Sequence, residues 1–309
     1  MNKPIYIGVL ALLLLALCVL TPSPALMEEE WTPDASQVTP IELGAPSGYA
    51  PDPAGYKSDL LYEDPTIRVS IETTRYCDTP MFIARVQIAD ATQLRTMMAG
   101  SYGSQRTALA TTLAERGGAV LAINGDYFSY IGTGLVVRQG HTYRSRPDSD
   151  FDVLMIDVNG DFHIAKEIDE ATLNAAYSAL GGSVEEGGQI VQAFTFGPAL
   201  VENGERAHEE YKRADGGARK PAQRMVIAQD GPLSYVIVCC EGPDNKNSKG
   251  LTLEEMGQFM LDLGVETAYN LDGGGSTTMV FNGSKINALS TSKNRSVSDI
   301  VYFCSGVAK

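Results

Sequence analysis

Two short stretches of this 309-residue chain set an amide and a carboxylate beside glycine. The first is Asn124-Gly125-Asp126, and the second runs Asn270-Leu271-Asp272-Gly273-Gly274-Gly275-Ser276. Glycine lets the backbone take positive φ and approach a ligand closely. Successive N–H groups of such a loop can then converge on one anion. Asn-Gly and Gly-rich pairs are also ordinary turn chemistry. An acid before three glycines, with Ser276, Thr277 and Thr278 after them, exceeds what a turn requires. Two carboxylates brought from two such loops form the pair that transfer of a glycosyl group to water normally uses. Asp272 is therefore the candidate principal catalytic carboxylate, as base or nucleophile. Asp126 or Glu241 is the candidate second carboxyl group.

A phosphate on the substrate would need its own holder. Arg224 is the best candidate, because a guanidinium grips phosphate through two parallel hydrogen bonds; Lys220 is a second. The backbone amides of Gly273, Gly274 and Gly275, together with Ser276, are candidates to bind the same group and stabilise its departure. Asn124 and Asn270 are candidates to orient sugar hydroxyls or the carboxylates. Tyr127 and Phe128 offer aromatic faces for a sugar ring, a role weighed against simple core packing. Glu241 and Asp244 follow a strand in Glu241-Gly242-Pro243-Asp244 and could serve as supporting or metal-binding acids. His141, His163 and His208 show no Ser/His/Asp or metal-site spacing, and His163 reads as a strand residue. Trp31 receives no role. The sequence assigns no cofactor and no definite metal ligand; a divalent cation is the one cofactor it admits.

The elements that must carry these residues are short and numerous. Apolar strands Ala119–Ile123 and Thr267–Leu271 lead into the two loops. Alternating runs occur at 67–71 and 82–88, and Asn159-Gly160, Asn203-Gly204 and Asn282-Gly283 mark hairpins. Helices are expected over 106–116, 169–180 and 252–263. The last carries a Thr252/Glu255 capping box and an apolar face of Leu253, Met256, Phe259, Met260 and Leu263. Together these indicate an α+β domain with a mixed, largely antiparallel β-sheet core and about three flanking helices.

Composition bounds the function. The chain is 44% hydrophobic and 20% charged, with a net charge of −14. That balance is globular, and it argues against nucleic acid as a partner, which requires clustered Lys and Arg. It leaves room for an anionic substrate held by a local arginine. Lys3, the uncharged run Ile5–Leu20 and the small residues Ser23 and Ala25 resemble a secretory signal. Residues 1–25 are thus expected to be a signal peptide or an N-terminal membrane anchor. Residues 26–56, rich in Pro, Gly, Ser and acids, read as a linker, and 57–309 as the functional domain. The chain would then be extracellular or at the cell surface, touching a membrane only through its N-terminal segment. Cys77, Cys239, Cys240 and Cys304 lie beyond the signal; Cys239 and Cys240 should point to opposite faces of one strand.

Four segments occur in a fixed order: AINGDYF at 122–128, FGPALVENG at 196–204, S-x-G-LTLEEM from Ser248, and NLDGGGSTTMV at 270–280. In this order the sequence resembles the phosphodiester glycosidase family, over roughly 70–303. The resemblance implies hydrolysis of the glycosidic C–O bond of a sugar-1-phosphodiester, such as an N-acetylglucosamine-1-phosphodiester, in cell-surface or exopolysaccharide glycans. It places Asn124, Arg224, Asn270, Asp272, Gly273, Gly274 and Ser276 on family motif positions. Two departures are visible: the position of Asp126 is often glycine in relatives, and the usual Pro-Arg-Thr reads Gln223-Arg224-Met225 here. Two other classes fit the residues less fully. One is a non-catalytic wall- or polysaccharide-binding module. The other is a metal-dependent phosphodiesterase cleaving P–O with Asp126, Glu241, Asp244 and Asp272 around a divalent ion.

Overall fold

Helix α3 (Leu253–Asp262) starts where Thr252 and Glu255 cap one another. The Thr252 hydroxyl accepts the Glu255 N–H at 3.2 Å, and the Glu255 carboxylate accepts the Thr252 N–H at 2.8 Å. Such a cap contributes about 1 kcal/mol. The apolar face of the helix packs on Val226, Ala228, Val236 and Val238 of the largest sheet. Each fully buried side chain of that size contributes roughly 1.5–3 kcal/mol. Helix α1 (Ala110–Gly117) covers Ala122, Ile300 and Tyr302, and helix α2 (Glu170–Ala179) covers Leu135, Val137 and Met155. Helix α1 begins four residues later than its apolar pattern suggests. Ala108 is held extended by a two-way backbone bridge to Val297, which keeps the preceding residues out of the helix.

The computed structural model describes residues 31–183, 188–213, 216–243, 245–287 and 295–308. Three sheets pack around one shared core. The largest has nine strands, with Thr79–Ile88, Ser234–Cys240, Met225–Gly231 and Thr267–Asn270 adjacent at its centre. A five-stranded sheet places Ala119–Asn124 between Met279–Phe281 and Asp299–Cys304. A second five-stranded sheet places Ile190–Thr195 between Val153–Asp157 and Gly134–Arg138. Every strand pairing among the described residues is antiparallel. Inner faces meet at Val86, Leu121, Ile123, Leu154, Phe194, Ile227 and Ile237, while outer faces take the helices. Period-two alternation sorts the residues: Cys239 enters the shared core and Cys240 faces α3. The α+β reading, with its three helices, holds.

The expected linker is different. Compact structure begins at Pro33, so much of 26–56 is docked on the domain. Thr39 N–H bonds the Gly306 carbonyl, Gly48 N–H bonds Gly117, and Asp52 N–H bonds the Tyr62 hydroxyl. Ile41 is buried beside Leu113 and Ala114. The segment lacks a period because its backbone bonds to scattered partners instead of a ladder, which composition alone reads as a spacer. Residues 1–25 lie outside the described residues. Among those described, no helix is long and apolar enough to cross a membrane. Cys77, Cys239, Cys240 and Cys304 are free thiols.

Candidate active site

Strands Ser234–Cys240 and Thr267–Asn270 both pair antiparallel with Met225–Gly231, which lies between them. They therefore run in the same direction and end at the same edge. Glu241 follows the first, Asp272 follows the second, and Gln223-Arg224 enters between them. The two glycine loops meet here too. Asn124 Nδ2 donates to the Asp272 carbonyl at 2.7 Å, and Asn124 Oδ1 accepts the Thr278 N–H at 3.1 Å. Asn124 is buried, and its amide clamps one loop to the other.

Asp272 is half-buried at this edge. Burial raises its carboxyl above the usual range. The Ser276 hydroxyl, the charge of Arg295, the Gly273 N–H and the charge of Arg213 oppose that rise. Gly273 is required by close approach: a Cβ there would stand 2.6 Å from the Gln223 carbonyl. The same carbonyl accepts the Gly274 N–H at 3.0 Å, so that donor is committed inside the protein. Gly274–Ser276 form one 3₁₀ turn, with Ser276 buried behind Asp272. The Arg295 guanidinium lies against Gly275, and Arg213 stacks over the Phe196 ring at 4.0 Å.

The other expected residues take distinct places. Both oxygens of Asp126 are engaged: Oδ1 by Arg138 at 2.9 Å and the Phe128 N–H at 3.2 Å, Oδ2 by the Thr195 N–H at 3.0 Å. Its side chain is 0% exposed, so Asp126 anchors the loop from beneath. Glu241 is buried and accepts from the Asn245 amide. Arg224 is also buried. It donates to the carbonyls of Leu251, Gly217 and Lys220 at 2.9, 2.9 and 2.6 Å, which ties three segments together. Lys220 is exposed. Asn270 donates to the Gly197 carbonyl at 2.8 Å, while its Oδ1 is buried without a partner, two residues from Asp272. Asp244 lies outside the described residues. Among those described, no three of His, Cys, Asp and Glu come together as a metal cluster. The four acids of the metal-dependent reading are thus not shown as one coordination set.

Several residues at the site carry no local sequence signal. Arg138 is buried and bonds Asp299 at 2.7 Å as well as Asp126. Asp299 is the third carboxyl group. Its free oxygen, Oδ1, has no hydrogen-bond partner and lies 2.3 Å from where a Cβ on Gly125 would be. Glycine at 125 is what admits it. Burial raises the Asp299 carboxyl to about 7, against the lowering effect of Arg138, with Asp126 and Asp272 adding to the rise. A cleft of about 740 Å³ adjoins this edge, lined in part by Tyr127, Phe196, Pro198, His208 and Arg213. Asp272 does not itself line this cleft; Asn270, two residues before it, bonds the Gly197 and Pro198 carbonyls of the cleft wall, and the charge of Arg213, which lines the cleft, acts on Asp272. In its wall the Asp152 carboxylate accepts from His208 Nε2 at 2.7 Å and from the N–H groups of Ala199 and Glu167. A carboxylate fixing one ring nitrogen leaves the other to face a ligand.

The phosphodiester glycosidase family model matches residues 117–304, more than half of the chain. The protein belongs to that family. Among solved structures, it is similar to the catalytic domain of zebrafish N-acetylglucosamine-1-phosphodiester alpha-N-acetylglucosaminidase, auto-inhibited by its pro-peptide. That match has a TM-score of 0.60 and 18% identity, over 84% of this chain and 87% of that one. A protein of Burkholderia pseudomallei K96243, provisionally designated as exported, matches with a TM-score of 0.51 and 14% identity over 74% of each chain. At these identities the likeness is one of fold. A search of curated proteins finds no match.

Proposed function

We propose that the protein hydrolyses the glycosidic C–O bond of a sugar-1-phosphodiester, releasing the sugar and a phosphomonoester. The observation that carries this reading is Asp272: a half-buried carboxyl of raised pKa, at a sheet edge, with Arg295 and Arg213 acting on its charge. Family membership supplies the reaction class, and glycosidases as a group use carboxylates in this role. In the proposed reaction the C1–O bond to phosphate breaks and its electron pair leaves with the phosphate oxygen. Water supplies the new oxygen at C1 and its proton goes to a carboxylate. Asp272 acts at C1, as nucleophile or as the base that activates water. Arg295 and Arg213 are the proposed holders of the phosphate, and His208, oriented by Asp152, lines the sugar-binding cleft.

The proposed substrate is an N-acetylglucosamine-1-phosphodiester-like unit of a cell-surface or exopolysaccharide phosphoglycan, with the protein exported to meet it. The N-terminal apolar run and the fold shared with a protein provisionally designated as exported support that location. The reading is tested by incubating purified protein with a panel of sugar-1-phosphodiesters and following release of free sugar. Turnover by wild type, absent in Asp272→Asn, supports it; no turnover on any N-acetylhexosamine or hexose diester would overturn it.

A further inference from the structure

A second cleft of about 480 Å³ shares Tyr130 and Ile131 with the larger one, so the two lie on either side of that short loop. Their charges differ sharply. Five carboxylate residues line the larger cleft against the two cations Lys212 and Arg213, whereas the smaller has Arg144 and Arg146 and no acidic residue. In a chain of net charge −14, a cleft with two arginines and no acid is a local reversal of the prevailing field. Such a reversal selects anions.

The cleft is also aromatic. Tyr102 stacks between Phe128 and Tyr143, at ring separations of 5.8 and 5.1 Å. Tyr143 is 37% exposed, and Tyr130, on the ridge between the clefts, is 62% exposed and stacked on Tyr127 at 4.3 Å. Arg144 Nη1 donates to the carbonyls of Phe128 and Ile131, which fixes the guanidinium against the loop. Its Nε and Nη2 donors are buried and have no partner. Those two donors are closed to solvent, so Arg144 acts on the cleft through its charge, and the exposed Arg146 is the guanidinium open to an anionic oxygen.

We infer that this cleft binds a second phosphorylated sugar of the same glycan chain, away from the scissile bond. The ring packs on Tyr143 and Tyr130, and the phosphate pairs with Arg146 in the field of Arg144. This deepens the proposed function, on which it rests: the substrate becomes a polymer carrying repeated sugar phosphates, read at two places across the Tyr130 ridge.

The test is calorimetric binding to the Asp272→Asn protein, with a synthetic trimer of N-acetylglucosamine-1-phosphodiester repeats and with the single-unit diester. The trimer should bind about ten-fold more tightly, the gain expected when a second contact of about 1.4 kcal/mol is joined to the first. That advantage should vanish in Arg146→Glu and in Tyr143→Ala and return in Arg146→Lys, with melting temperatures of all variants matched to the parent. Equal affinities for trimer and single unit would overturn the inference. So would an advantage that persists in both disruptive variants, or an equal advantage for a neutral N-acetylglucosamine trisaccharide. Wild-type turnover of the single-unit diester is measured separately, so failure of the cleft and failure of the glycosidase reading give different results.

Discussion

The side-chain amide of Asn124 holds the main-chain carbonyl of Asp272 at 2.7 Å, across 148 residues of sequence. This bond makes two separate glycine loops into one site, because it sets the backbone from which the Asp272 carboxyl projects. Asn124→Ala leaves both that carbonyl and the Thr278 N–H without their partner. We expect a stability loss of about 1–3 kcal/mol by urea unfolding. Misplacement of the carboxyl should also lower kcat/KM by about ten-fold or more. An unchanged kcat/KM would mean that the clamp does not set the catalytic geometry.

Among the described residues, Arg138 is the cation that hydrogen-bonds both Asp126 and Asp299, whose side chains are 0% exposed. Arg138→Met abandons two buried carboxylates and should cost about 3–5 kcal/mol. Urea unfolding of the variant reads this directly; a loss below about 1 kcal/mol would show that water or other donors already support the pair.

Asp299 adds a pH dependence of definite sign. Its carboxyl titrates near 3.8 when unperturbed and is raised to about 7 in the fold. Between those values the folded protein holds the extra proton, so this group's contribution to stability falls as pH rises from about 4 to about 7. Asp299→Asn removes that dependence. The melting temperature of the variant minus that of wild type should therefore increase across the same window, and a constant difference would refute the assignment.

Arg295 and Arg224 should behave differently. Arg295 is exposed beside Gly275 and acts on Asp272, whereas Arg224 is buried and bonded to three carbonyls. Arg295→Ala is expected to raise KM about ten-fold, by an amount that shrinks with added salt, and to leave melting nearly unchanged. Arg224→Ala should instead destabilise the fold by about 1–3 kcal/mol through the carbonyls it abandons. The reverse pattern would return the phosphate to Arg224.

These contrasts show which parts of the site a sequence can reveal. The helices were legible because caps and 3.6-residue periodicity are local, and Thr252/Glu255 marked α3 unambiguously. The glycine loops were legible because glycine beside an acid is a backbone requirement written in adjacent residues. Asp299 and Arg138 were not: they meet across 161 residues, and neither has a neighbour that distinguishes it from an ordinary strand residue. His208 and Asp152 are likewise 56 residues apart. Arg224 suits a phosphate in the sequence because a guanidinium fits phosphate and backbone carbonyls equally well; burial against three carbonyls is what separates the two uses. The stretch before Tyr56 looks like a spacer in the sequence because docking on scattered carbonyls and hydroxyls leaves no periodic trace.

The most direct test of the account is hydrolysis of an N-acetylglucosamine-1-phosphodiester in oxygen-18 water, with mass analysis of both products. Action of Asp272 at C1, as nucleophile or base, places the label in the released sugar. Asp272→Asn should lower kcat by about 10³-fold, within the range general acid–base groups contribute. Label in the phosphomonoester would contradict the account, since it would mean that the P–O bond is cleaved.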